Sequence, residues 1–228
     1  MAQKILTVPE TITEELDYYP VGNEWIALPE VNQFGKVESF NVISEYHKGM
    51  LEVRGGADPL LAPYLTVDGE VQELTDLSWT RLEDWIPRFT LGGSGWKLEG
   101  TVFCPNGRRG FVYLLSVTNT GPTKRRFTLG WRGSWGSTLF TAFSSRRSLG
   151  SNLAWYNRWT RTLTFEHRAG LPVAAWALGL SQPLAECQWE LGGGQGEEEI
   201  TSAPGKTIDF SFGKNVELLP GDSFQLAL

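Results

Sequence analysis

The chain has 228 residues, a formal net charge of −6, 26 glycines and 10 tryptophans. This length allows a substantial hydrophobic core, in one large β-domain or two small ones. No run of about 18 apolar residues is present to span a bilayer, and Met1 to Glu10 lacks the apolar core of a secretory signal, so a soluble cytoplasmic protein is expected.

The first elements in chain order are short. Residues 1–36 are predicted to be an N-terminal extension with the first strands, in which a short helix near Pro9 is the most that the pattern allows. Residues 37–53 predict a β-hairpin that turns at His47-Lys48-Gly49. Pro59 and Pro63 argue against a regular central strand over residues 55–63. Asp68-Gly69 then predicts a second hairpin turn.

Residues 95–133 carry the clearest strand pattern. Trp96 to Phe103 is followed by an Asn106-Gly107 turn signal, a long apolar run ends at Thr118, and alternation resumes at Phe127. Three consecutive strands are predicted here. They locate a core but contain no catalytic motif.

The remaining elements complete an all-β pattern. Ser144 to Asn152 is predicted to be a basic loop, and residues 153–166 one long strand or two strands with a turn at Asn157. Residues 192–199 predict an exposed acidic turn, and strands are predicted at 207–212 and 223–228. The sequence therefore predicts a large antiparallel β-sandwich over residues 37–228, within one domain overall.

Charge is unevenly divided along the chain. Residues 96–168 contain twelve Lys and Arg but only two acidic residues, a local charge of +10. Such a segment can bind an anionic polymer, or it can be neutralised inside the fold by the acidic flanks. Both interpretations remain open from the sequence.

Four short sequence segments resemble those of a known family of domains. They are Gly95 to Pro105, Leu115 to Gly121, Arg126 to Leu129 and Leu218 to Asp222. They are similar to the N-terminal "supersandwich" of glucoamylase-like glycoside hydrolases, disaccharide phosphorylases and glucosylceramidase-like proteins, a sandwich similar in fold to galactose mutarotase. The resemblance implies a noncatalytic ancillary domain whose partner is a helical barrel that carries the catalytic carboxylates.

A search for catalytic residues agrees with a noncatalytic role. The only histidine and carboxylate pairing that a mutarotase-type epimerase could use is His167 with Glu186, and neither lies in an epimerase motif. Cys104 and Cys187 are two ordinary thiols, so no metal site is predicted. No cofactor is predicted, because nucleotide-binding fingerprints are also absent from the sequence.

Sugar binding is the remaining activity that the composition favours. Aromatic side chains cover the C–H faces of sugars while polar neighbours fix the hydroxyls. The residues with that composition are Trp131, Trp135, Trp155, Tyr156, Trp159, Arg158 and Arg161. A sandwich core uses the same large aromatics, so each tryptophan has two interpretations.

Three functions therefore remain. The first is a noncatalytic domain of a carbohydrate-active protein, which binds sugar weakly or serves as a domain interface. The second is a free-standing epimerase, and the third is a binder of anionic polymer through residues 96–168. No membrane partner is expected and nucleic acid is not favoured. A docking domain should retain an apolar face, so self-association or such a face beside the basic strands is predicted.

Overall fold

The structure is a computed structural model that describes residues 16–143, 145–167, 174–192, 199–201 and 206–228. The short helix predicted near Pro9 and most of the acidic turn at 192–199 lie outside these residues. In the described part of the chain, the regular elements are twenty β-strands and one 3₁₀ helix at Leu184–Glu186. Among the residues so described, no helix has the length and apolar character needed to cross a membrane.

The strands form four sheets, and every pairing between strands is antiparallel. The strand bounds in chain order are β1 Val21–Gly22, β2 Ile26–Leu28, β3 Ser39–Ser44, β4 Gly49–Arg54, β5 Ala62–Val67, β6 Glu70–Val71, β7 Ser78–Leu82, β8 Ile86–Gly93, β9 Trp96–Phe103, β10 Val112–Asn119, β11 Arg125–Trp135, β12 Ser137–Ala142, β13 Ser145–Leu149, β14 Asn152–Asn157, β15 Thr162–His167, β16 Ala174–Leu178, β17 Gln188–Leu191, β18 Ile200–Thr201, β19 Ile208–Leu218 and β20 Ser223–Ala227. The predicted all-β, antiparallel sandwich class is confirmed.

The sheets are named here by their strands. The six-stranded sheet has the order β1-β2-β3-β4-β12-β13, and the four-stranded sheet has the order β16-β15-β14-β18. The β9 sheet has the order β20-β10-β9-β8-β7, and the β11 sheet has the order β17-β19-β11-β5-β6. Non-sequential neighbours such as β20 beside β10 show that the chain returns to early strands at its end.

The predicted hairpins turn where the sequence places flexible residues. Asp68 and Gly69 have φ angles of 53° and 91°, both in the left-handed region, and they join β5 to β6. At the end of β9 only Gly107 of the Asn106-Gly107 pair has a positive φ, at 70°. The connection to β10 is therefore a longer loop and not the tight reversal that the sequence predicts.

Two elements differ from the prediction. Residues 145–149 form β13, paired with β12, where a basic loop is predicted. Pro63 lies inside β5, opposite Trp131, although prolines usually interrupt central strands. On its other side β5 is paired with β6 only at Thr66 and Val67. Pro63 is therefore tolerated because β5 is an edge strand at that point.

One continuous cluster of buried side chains joins the sheets. Tyr113 of the β9 sheet meets Trp131 of the β11 sheet with their ring centroids 5.7 Å apart. Trp135 in turn contacts Phe165 and Trp176 of the four-stranded sheet at 5.7 Å each. Tyr19, from the first 36 residues, stacks on Trp79 at 3.9 Å and belongs to the same cluster.

The basic segment is extensively paired with acidic residues from outside it. Arg125 binds Asp68 at 2.8 Å, Arg146 binds Glu52 at 2.6 Å, and Arg109 binds Glu45 at 3.5 Å. Lys124 and Arg126 both pair with Glu217 on β19. These pairs support internal neutralisation of the segment, because antiparallel pairing brings the acidic flanks beside the basic strands. Arg168 lies outside the described residues.

Candidate functional site

A cavity of about 490 Å³ lies on the outward face of the β11 sheet. Core side chains such as Leu65, Leu129 and Phe212 occupy the opposite face of the same strands. Because side chains alternate along a strand, the residues between them point outward. The lining residues are Lys36, Asp58, Pro59, Ala62, Arg132, Gly133, Ser134, Glu190, Gly192, Asp209, Phe210 and Ser211.

Strand register brings the polar lining residues together. Glu190 on β17 pairs with Ser211 on β19, and Ser211 pairs with Arg132 on β11. This gives one row across three strands. Asp209 lies two residues before Ser211 and is paired with Ser134. Directly opposed Cβ atoms lie about 5 Å apart and diagonal ones about 7–8 Å, so these side chains share one small surface.

The charged lining residues are not neutralised by one another. Lys36, Asp58, Arg132, Glu190 and Asp209 form no ion pair or side-chain hydrogen bond with another residue of the described ranges. Lys36 has one aromatic contact, with its Nζ 5.5 Å from the centre of the Phe34 ring. Elsewhere on the surface, basic side chains of β10–β11 and β13 find acidic partners. Five charged groups are thus available to a ligand in this cavity.

Tyr64 lies beside the cavity, in the neighbouring row of the β11 sheet. It pairs with Gly130, which pairs with Gly213. Burial raises the pKa of the Tyr64 phenol first, the charge of Glu190 raises it further, and Arg132 acts in the opposite direction. The phenol is therefore within electrostatic reach of both charged residues of the adjacent row.

Two sequence candidates for sugar contact belong to the core. Trp131 and Trp135 are both 0% exposed, so neither can present its face to a sugar. They lie at the inward positions of β11, whose outward positions hold Thr128, Gly130 and Arg132. Of the two interpretations that the sequence leaves open for these residues, the structure places both in the core.

The other aromatic candidates occupy the β14–β15 hairpin. Trp159 is 97% exposed at the hairpin tip, where Asn157 Oδ1 accepts the backbone N–H groups of Trp159 and Thr160 at 3.0 and 3.3 Å. Tyr156 stacks on Trp189 of β17 at 5.0 Å, so it packs against the sandwich. The remaining three candidates of this stretch divide by exposure: Trp155 is partly exposed, and Arg158 and Arg161 are exposed.

The predicted epimerase pair does not meet at the cavity. His167 is the last residue of β15 and is 0% exposed. Glu186 ends the 3₁₀ helix and accepts Lys214 Nζ at 3.2 Å through its carboxylate. No histidine lines the cavity within the described residues. In the same part of the chain, no three His, Cys, Asp or Glu side chains are grouped to hold a metal ion.

Sequence reasoning missed most of the cavity. The alternation of β11 identifies Arg132 as an outward residue, but its neighbours Ser211 and Glu190 come from strands about 80 and 60 residues away along the chain. No local sequence pattern predicts how these strands align with β11. Gly130 and Gly213 were a further signal in the sequence, because a glycine inside a strand often marks a place where another backbone or a ligand approaches closely.

Comparison with known proteins does not identify a family. No protein-family model matches the sequence, and no curated protein matches it. Among solved structures, the chain is similar to a galactose mutarotase-like protein from Lactobacillus casei ATCC 334, with 12% sequence identity and a TM-score of 0.49. That likeness covers 95% of this chain and 98% of the other. These comparisons therefore assign no function to the chain.

Proposed function

We propose that this chain is a noncatalytic β-sandwich domain of a carbohydrate-active protein and that it holds a saccharide in the cavity of the β11 sheet. The observation that carries the proposal is the set of five charged side chains that converge on the cavity without pairing among the described residues. Charged and polar groups left without partners in a concave site are available to hydrogen-bond a ligand.

The lining suits a polyhydroxylated ligand. Lys36 and Arg132 donate hydrogen bonds, Asp58, Glu190 and Asp209 accept them, and a sugar hydroxyl does both. Carboxylates and guanidinium groups are planar and bidentate, which matches a pair of neighbouring hydroxyls on a pyranose ring. A purely apolar or purely basic ligand would leave one of these two sets unsatisfied.

The residues that line the cavity favour sugar binding without catalysis. An epimerase of mutarotase type requires a histidine and a carboxylate that converge on one sugar. His167 is buried in β15 and Glu186 is paired with Lys214, away from the lining. The chain is therefore assigned the ancillary role and the catalytic groups are assigned to another domain.

The interface part of this role is assigned to the outer face of the β9 sheet. Five apolar residues there, defined here as the outer apolar strip, are partly exposed: Leu82, Ile86, Phe103, Val112 and Leu114. They alternate with core residues such as Phe89, Val102 and Tyr113. Arg88 pairs with Thr101, which places Ile86 beside Phe103 and makes the strip continuous. In the whole protein we propose that a helical catalytic domain covers it.

Titration of the purified chain with neutral saccharides tests the binding function. Saturable binding is expected in isothermal calorimetry or ligand-observed NMR, with a dissociation constant of about 1 mM or tighter. Arg132→Ala and Glu190→Gln should each weaken it, while Lys124→Ala, which removes a cation outside the lining, should not. Saturable binding that is insensitive to both cavity substitutions would contradict the assignment. Mutarotation of a sugar that the chain accelerates above the spontaneous rate, followed by polarimetry, would instead establish the epimerase alternative.

A further inference from the structure

We infer that Tyr64 is the aromatic platform of this cavity and that the ligand is a neutral pyranoside that stacks on its ring. The inference rests on the proposed function and adds to it a positioning residue and a ligand class. None of the sequence-level candidates for an aromatic platform includes Tyr64. Its role follows from the way in which its side chain lies across the sheet.

The Tyr64 side chain extends over two neighbouring strands. A Cβ atom placed on Gly213 would lie 2.2 Å from the Tyr64 Oη and 3.1 Å from its Cζ. Gly213 is on β19, and β11 separates β19 from the strand of Tyr64. Strands lie about 4.8 Å apart, so the backbones of β5 and β19 are separated by nearly 10 Å, and the Tyr64 side chain spans much of that distance. A tyrosine that stood upright on the sheet could not reach that far, so the ring lies along the sheet surface.

Two glycines make room for this arrangement. Gly213 has no side chain to lift the phenol off the sheet. Gly130, between Tyr64 and Gly213 in the same row, allows β11 and β19 to approach closely, because a Cβ there would lie 2.2 Å from the Phe212 carbonyl oxygen. The row Tyr64–Gly130–Gly213 is therefore a flat aromatic surface with no competing side chain beneath it.

The adjacent row provides the polar groups that a stacked sugar needs. It contains Arg132 and Glu190, which both act on the Tyr64 phenol electrostatically. A pyranose that covers the ring with its C–H face presents equatorial hydroxyls at its rim. Those hydroxyls would lie beside the guanidinium and the carboxylate. Stacking and hydrogen bonding thus act on one sugar.

The lining charge selects the ligand class. Lys36 and Arg132 contribute two positive charges, whereas Asp58, Glu190 and Asp209 contribute three negative ones. An anionic sugar would add a second negative charge to a site that already has an excess of one, at distances where repulsion is appreciable. A neutral pyranoside is therefore favoured over a uronic acid or a sugar phosphate.

The test uses the full chain with the methyl glycosides of glucose, galactose and mannose and the matching methyl glucuronide. Saturation-transfer difference and chemical-shift titrations should show the tightest-binding neutral glycoside with ring protons shifted upfield, the signature of contact with an aromatic face. Tyr64→Ala should weaken binding at least about ten-fold and abolish the upfield shift, and Tyr64→Phe should retain both. Gly213→Ala should weaken binding by tilting the ring.

The outcomes separate the inference from the proposed function. If wild type binds none of the neutral glycosides, the proposed function fails and the inference fails with it. If Tyr64→Ala still binds while Arg132→Ala does not, the saccharide site stands and the platform assignment is overturned. Tighter binding of the glucuronide than of its neutral counterpart would overturn the ligand class. Circular dichroism and thermal unfolding of each variant distinguish lost binding from lost folding.

Discussion

Asn119 ends β10 and is 0% exposed, and both atoms of its side-chain amide are engaged. Its Nδ2 donates to the carbonyls of Thr123 and Leu218 at 2.8 and 2.9 Å, and its Oδ1 accepts the Gly121 N–H at 3.0 Å. One side chain thereby ties the β10–β11 turn to the end of β19. This structural role explains the asparagine, Asn119, in the segment Leu115 to Gly121.

Asn119→Ala should therefore destabilise the protein strongly. Three hydrogen bonds are lost and buried backbone groups are left without partners, which costs about 3 kcal/mol in the free energy of unfolding. Urea unfolding at neutral pH measures the change. Asn157→Ala is the matched control, because its Oδ1 also accepts two backbone N–H groups but at an exposed tip. The control should cost less than about 1 kcal/mol, and equal losses in the two variants would contradict the buried role of Asn119.

Tryptophans show what can and cannot be predicted for single residues. Trp131 and Trp159 each have an arginine as a direct neighbour in the sequence. Trp131 is 0% and Trp159 is 97% exposed. Period-two alternation with Phe127 and Leu129 identifies Trp131 as inward, whereas Asn157 identifies a turn at Trp159. Position in the pattern decides burial, and the identity of the side chain does not.

Strands were predictable where alternation or a turn signal was strong. The β5–β6 hairpin follows from Asp68-Gly69. For residues 153–166 the sequence leaves one long strand or two strands open, and the structure has the two strands β14 and β15. Strand β13 was not predictable, because its arginines and serines have little strand preference and its four described side chains, Ser145 to Ser148, are all exposed. Tertiary contacts hold this segment as a strand, because β12 pairs with it and Glu52 of β4 binds Arg146.

The Asp68 turn connects the β5–β6 hairpin to β11. Its carboxylate accepts the Arg126 N–H at 2.9 Å and Arg125 Nε at 2.8 Å. The backbone hydrogen bond from Arg126, followed by the one from Arg125, lowers the pKa of Asp68 below its ordinary value of 3.8. A carboxyl group with a lowered pKa stabilises the fold above pH 3.8, and this contribution is lost as the pH falls through the folded value.

Asp68→Asn should therefore lower the melting temperature slightly at neutral pH, and the difference from wild type should shrink as the pH falls below about 4. The effect is small because the carboxylate is exposed. Asp76→Asn is the control, since it removes one negative charge from a carboxylate that no described residue binds. A difference between Asp68→Asn and wild type that stays constant from neutral pH to pH 3 would show that the ionised carboxylate contributes nothing.

At the level of the whole molecule, the basic and acidic segments of the sequence form ion pairs with one another. The segment 96–168 is basic, and its partners Asp68, Glu52, Glu45 and Glu217 come from both flanks of the chain. From the sequence, internal neutralisation was one of two alternatives. The sequence does not decide between them, because the neighbours of each strand depend on the full topology. The cavity was unpredictable for the same reason, since β17, β19 and β11 meet only in the folded sheet.

The outer apolar strip leads to a prediction about the isolated chain. Val112 pairs with Phe103, and Leu82 pairs with Ile86, so four of its members form neighbouring pairs on one face. Trp85, 44% exposed in the β7–β8 turn, lies at the same end of the sheet. Contiguous apolar surface of this kind favours association between protein surfaces.

The isolated chain is therefore expected to self-associate as its concentration rises, with an increase in weight-average mass in sedimentation equilibrium. Val112→Lys should shift it towards monomer, because a charge within the strip opposes its burial in a contact. Gln225→Lys adds the same charge to the same sheet, on the exposed edge strand β20, and should not change association. Neither substitution touches the lining of the cavity, so saccharide binding should persist in both. A strict monomer at every concentration, or equal effects of the two lysines, would mean that the strip is ordinary surface and that the interface has to be sought on another face.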